Sequence, residues 1–132
     1  MDETQNLASE KSILLVDDDQ FITVAYKDGL ERAGYNVTIA HNGEEALDIL
    51  KINKPDILLL DLIMPKMNGF ELLQALKDDN DLKEIPVLVL TNLSQESDEE
   101  EARSYGIVDF MVKADISLKD LINRLHEVLG TQ

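Results

Sequence analysis

Cysteine is absent from the 132-residue chain, so disulfides, thiolate zinc sites and a cysteine nucleophile are all excluded. Basic residues are few: 12 Lys and Arg stand against 27 Asp and Glu, a formal net charge of -15. That balance opposes the counterion release that drives binding to a phosphate backbone, and direct contact with nucleic acid is not expected. Divalent cations and basic partners suit an acidic surface better. Long hydrophobic runs are missing as well. Stretches such as Ile57 to Leu60 are far shorter than the roughly 20 residues of a membrane-spanning helix. The opening Met1-Asp2-Glu3 lacks the basic and apolar regions of a signal peptide. A cytoplasmic protein without membrane insertion is expected.

At this length one domain with a single sizeable core is expected. Residues 1–11 are polar apart from Met1, Leu7 and Ala8 and read as a flexible N-terminal leader, with the folded domain over residues 12–130. Short apolar runs then recur: Ile13 to Val16, Ile57 to Leu60, Val87 to Leu90 and Val108 to Val112. Continuous runs suit strands covered on both faces, as in a parallel sheet. Tyr35 to Ile39 alternates instead and is expected at an edge. Between the runs the period becomes helical, as in Leu118, Leu121, Ile122, Leu125, Val128 and Leu129. Gly34 and Gly106 stand where helices should stop, and Pro55 and Pro86 stand just before strands. The pattern predicts an α/β fold of five βα units, a doubly wound parallel sheet of flavodoxin-like strand order 2-1-3-4-5.

In such a sheet the site lies at the carboxyl ends of the central strands. Strand one ends in Asp17-Asp18-Asp19, strand three in Asp61, strand four in Thr91-Asn92 and strand five in Lys113. Singly, each has an ordinary explanation as a helix cap, a turn, a strand end or a solvated charge. Together they put carboxylates from strands one and three side by side, where repulsion raises the cost of ionising all of them. A divalent cation relieves that cost. Oxygen ligands without any soft donor suit magnesium, or manganese in its place. With phosphate charge offset by the metal, Lys113 and the Thr91 hydroxyl, Asp61 is left as a nucleophile toward phosphorus.

The chain resembles the receiver domains of bacterial two-component response regulators. The resemblance runs from Ser12 to about Gly130 and rests on four motifs in order: Ile13 to Asp19, Pro55 to Gly69, Ile85 to Thr91 and Asp109 to Lys113. It implies that Asp17 and Asp18 hold magnesium together with Asp61 and the main-chain carbonyl of Ile63. It further implies that Asp61 accepts a phosphoryl group from a sensor histidine kinase or a phosphotransfer protein. Thr91 would be the switch hydroxyl, Lys113 the phosphate-pairing lysine and Phe110 the aromatic switch. Output to a partner that the sequence does not name, or pairing of two copies, would use the face of helix four, strand five and helix five. Such a protein is no enzyme in the usual sense, catalysing only its own phosphotransfer and slow self-dephosphorylation.

Three departures from the family pattern bear on the site. Ala114 follows Lys113 where proline with a cis bond is usual. A non-proline cis bond costs about 2.5 to 4 kcal/mol, so a trans Lys113-Ala114 bond and a rearranged loop are expected. Asn92 follows Thr91 where a small residue is common, and narrower access to the phosphoryl site is expected. Ile63 and Leu93, two residues beyond Asp61 and Thr91, are apolar and cannot orient an attacking water, which predicts slow dephosphorylation.

Other residues have plainer readings. Asp19 is expected to cap helix one. His41 and His126 lie on separate elements without a second ligand and read as surface or packing residues. Asp98 to Glu101, after Ser94 and Ser97, suit the cap and positive end of helix four. A flavin carrier of the same topology would need a Ser/Thr/Gly-rich phosphate cradle after strand one, where acidic residues stand. An aspartate-nucleophile phosphatase would need a second Asp at the position of Ile63. The remaining rival is an interaction module that keeps the fold and is regulated without phosphorylation.

Overall fold

Runs of Ile, Leu and Val become strands here because both of their faces are covered, which makes alternation unnecessary. The computed structural model describes residues 10–131. The expected leader lies, for residues 1–9, outside the described residues. The elements are β1 Ser12–Val16, α1 Gln20–Arg32, β2 Asn36–Ala40, α2 Gly43–Ile52, β3 Ile57–Leu60, α3 Gly69–Lys77, β4 Val87–Thr91, α4 Glu96–Arg103, β5 Asp109–Val112 and α5 Leu118–Leu129. A single 3-10 turn, Lys113–Asp115, joins β5 to α5.

The five strands are all parallel, in the order β2-β1-β3-β4-β5. Every residue of β3 and β4 is buried, whereas β2 alternates and β5 is half-buried throughout. The alternating strand is therefore an edge, as its pattern predicts. Successive residues of each central strand point to opposite faces and divide the core in two. Leu14, Val16, Leu58, Leu60 and Val89 face α2, α3 and α4 through Leu50, Leu72, Leu76 and Ala102. Ile13, Leu15, Ile57, Leu59, Leu88 and Leu90 face α1 and α5 through Leu30, Leu121 and Leu125.

Helix ends follow local chemistry. Asp19 caps α1 by accepting from the N–H groups of Phe21 and Ile22, as expected. Asn68 and Glu71 form a reciprocal capping box on α3, and Ser117 and Asp120 form another on α5. Helix α4 departs from expectation. Its cap position is Gln95, which makes no side-chain hydrogen bond. Ser94 lies one residue too early and Ser97 already inside the helix, so neither hydroxyl can serve. Glu96, Asp98 and Glu99 support its first turn through charge alone. Gly34 and Gly106 adopt positive φ of 101° and 78° after α1 and α4, a conformation that favours glycine. His126 is a packing residue. Its ring lies 5.7 Å from that of Tyr35, and its Nδ1 is 2.8 Å from the Tyr35 hydroxyl.

Candidate functional site

Parallel pairing brings the carboxyl ends of β1, β3 and β4 to one edge, because Val16 pairs with Leu60 and Leu60 with Val89. The next residues of the first two strands are then Asp17 and Asp61. Their backbones extend the ladder by one step: Asp17 N–H donates to Ala40 O at 3.0 Å and Asp61 N–H to Val16 O at 2.9 Å. Both side chains are buried, Asp17 at 2% exposure and Asp61 at 7%. Asp18 is exposed. One carboxylate oxygen from each of the three lies within 4.8 Å of the others.

Lys113 reaches across from the end of β5. Its ammonium is 3.1 Å from Asp61 Oδ2 and also pairs with Asp17 Oδ2. The side chain is only 8% exposed. Burial pushes its pKa down, but the two carboxylates more than offset this and leave it above the ordinary lysine value. Burial raises the pKa of Asp17 despite hydrogen bonds from Lys113 and the Asp19 N–H. One ammonium, paired with Asp17 and Asp61, thus stands beside a cluster of three carboxylates, and the excess negative charge suits a hard divalent cation.

The other Asp61 oxygen is held by two donors. Thr91, fully buried at the end of β4, donates its hydroxyl to Asp61 Oδ1 at 2.7 Å. The Ile63 N–H donates to the same oxygen at 3.2 Å. Gly69 stands close behind, where a Cβ would lie 2.6 Å from the Asp61 carbonyl oxygen. Only glycine lets α3 start this near the site.

The structure therefore gathers Asp17, Asp18, Asp61, Thr91 and Lys113 as anticipated. Ile63 is 52% exposed beside them, and Leu93 is half-buried with its N–H 3.3 Å from the Thr91 hydroxyl oxygen. Phe110 lies on β5, whose last residue directly precedes Lys113. It is half-buried against the core cluster on the α2, α3 and α4 side. No cis peptide bond occurs among the described residues, so Lys113-Ala114 is trans, and the chain forms a 3-10 turn at this point. Asn92 is exposed, and its Oδ1 accepts the Ala114 N–H at 3.0 Å.

Sequence reasoning missed that bond and one charged network. Asp109 on β5 is 2.7 Å from Arg124 of α5 and 3.6 Å from Arg103 of α4. Burial alone would raise its pKa, but Arg124, the Phe110 N–H and Arg103 bring it below the ordinary value. The acidic residue amid the apolar run of β5 was the available signal.

A family model described as the response regulator receiver domain matches residues 13–126, and the chain belongs to this family. The polar-differentiation response regulator DivK of Brucella anthropi is 34% identical over 120 residues, covering 91% of this chain and 97% of that protein. The chemotaxis response regulator CheY4 of Vibrio cholerae superposes with a TM-score of 0.83 at 30% identity, covering 91% and 99% of the two chains. The Mn(2+)-bound form of response regulator Rcp1 gives 0.76 at 30% identity, covering 89% and 91%. Receiver domains are phosphorylation-controlled signalling switches of two-component systems rather than enzymes in the usual sense, and they work with histidine kinases, phosphotransfer proteins and output partners. No helix among the described residues is long and apolar enough to cross a membrane.

Proposed function

We propose that Asp61 is the phosphoacceptor of this receiver domain and takes its phosphoryl group from a histidine kinase or phosphotransfer protein. One observation carries the reading: Thr91 at the end of β4 and Lys113 just past β5 hold the two oxygens of a buried Asp61 beside Asp17 and Asp18. In the transfer, a bond forms between an Asp61 carboxylate oxygen and phosphorus while the phosphorus–nitrogen bond to the donor histidine breaks. Lys113 offsets charge on the transferring group, and the Thr91 hydroxyl turns from Asp61 to a phosphoryl oxygen.

Asp17, Asp18, Asp61 and the main-chain carbonyl of Ile63 would hold magnesium or manganese, which supplies charge neutralisation at the phosphoryl oxygens. A cluster of three carboxylates with one cation fits such an ion, and the Mn(2+)-bound relative supports it. Phe110 follows Thr91 as the aromatic switch, and output leaves through α4, β5 and α5, where two copies could also pair. Ile63 and Leu93, both apolar, leave the phosphoryl group without a side chain to orient hydrolytic water, so self-dephosphorylation is slow. Beryllium fluoride with magnesium tests the reading. Amide signals of Thr91 and α4 should shift in the wild type and stay in place in Asp61→Asn; an unshifted wild type contradicts the proposal.

A further inference from the structure

We propose that Asn92 is a positioning residue for phosphoryl transfer, holding the turn that carries Lys113; this rests on Asp61 as the phosphoacceptor. Thr91 at the end of β4 and Lys113, the residue just past β5, both contact the Asp61 carboxylate through Thr91 Oγ1 and Lys113 Nζ, and they are followed by Asn92 and Ala114. Those two residues are joined by the Ala114 N–H donating to Asn92 Oδ1 at 3.0 Å.

Regular pairing of β4 with β5 stops at Thr91 and Val112. Beyond it the chain turns into the 3-10 segment Lys113–Asp115, whose N-cap residue, Val112, makes no side-chain hydrogen bond. Asn92 supplies an acceptor one step past the last paired residues, where the strands no longer do. Its amide reaches the neighbouring backbone, which the single methyl group of an alanine could not. Ala114 must also keep a free N–H, which proline lacks. The two departures from the family pattern are therefore chemically complementary.

Lysine is a point charge on a flexible stem, so its aim depends on where its Cα is held. With Asn92 bound to Ala114, the Lys113 backbone is tied to the strand end that carries Thr91. Movement of the Thr91 loop then shifts both groups around Asp61 together. The Asn92 amide oxygen is engaged by the Ala114 N–H, so its effect on the reaction runs through Lys113 placement.

The test measures Asp61 phosphorylation by acetyl phosphate over a range of magnesium concentrations, in Asn92→Ala, Ala114→Pro and the double variant, with hydrogen exchange at the Ala114 amide. Both positions are exposed, so the variants should fold. Asn92→Ala should speed Ala114 amide exchange at least about fivefold and slow the limiting phosphorylation rate about fivefold, the factor carried by one ordinary hydrogen bond. Half-saturation by magnesium should move less than about twofold. In the Ala114→Pro background, which has no N–H to lose, Asn92→Ala should change the rate less than about twofold. An unchanged or faster rate in Asn92→Ala, or equal slowing in both backgrounds, overturns the positioning role while leaving Asp61 as acceptor. A wild type that is never modified overturns both.

Discussion

The Thr91 hydroxyl lies 2.7 Å from Asp61 Oδ1 and has no solvent exposure. It also receives the Leu93 N–H at 3.3 Å, so one oxygen links the site to the chain entering α4. Thr91→Val keeps the side-chain volume and deletes both bonds. It should lower stability by about 1–3 kcal/mol in urea unfolding, because buried polar partners are left unmatched. Thr91→Ser keeps the hydroxyl and should lose only about 0.8 kcal/mol, for one buried carbon. Equal losses in the two variants would contradict the hydroxyl's role.

Among the described residues, Lys113 is the only cation paired with Asp17 and Asp61. Asp17 has a raised pKa, caused first by burial. Its contribution to stability is therefore present below the ordinary carboxylate value and is lost as pH rises through the folded value. Lys113→Met deepens that loss. Without magnesium the variant should be less stable than the wild type by roughly 3 kcal/mol at pH 7 and by less at pH 4. Magnesium should restore part of the difference at pH 7, measured by urea unfolding at both pH values. A pH-independent difference that ignores magnesium would refute this.

Ile63 is half-exposed and apolar at the edge of the site. Ile63→Gln supplies a side chain able to orient water, and loss of phosphate from Asp61 should quicken at least about tenfold. The half-life of the isolated phosphorylated protein measures it directly. A wild type that dephosphorylates as fast as the variant would contradict slow hydrolysis.

Asp109 joins α4 to α5 across β5 through Arg103 and Arg124. Its pKa is lowered: burial opposes this, but Arg124 and Arg103 prevail. The stabilisation is thus complete above about pH 4 and lost as pH falls through the lower folded value. Asp109→Asn should be less stable by about 1 kcal/mol at pH 7, and the gap should close in acid. A gap that persists at pH 2 would show that the charge is not the cause.

Strand order, edge assignment and the five gathered side chains were legible because they follow from apolar periodicity and from which residue ends each strand. Asp17, Asp61, Thr91 and Lys113 needed no more than parallel pairing to meet. The cap of α4 was misread, since Ser94 and Ser97 flank the true position and a one-residue offset decides whether a hydroxyl can reach the free N–H groups. The bond from Ala114 to Asn92 was invisible for another reason. It spans 22 residues and depends on a backbone N–H, which sequence does not display except through the missing proline. The Asp109 network was only half legible, because the acidic residue stands out amid the apolar run of β5 but nothing in the pattern pairs it with Arg103 and Arg124.

The most direct measurement is the intact mass of the protein after incubation with acetyl phosphate and magnesium, with the modified residue located by peptide fragmentation. The expected result is one added phosphoryl group on Asp61, dependent on magnesium and absent from Asp61→Asn. An unmodified wild type, or a phosphoryl group on another residue, would contradict Asp61 as the acceptor.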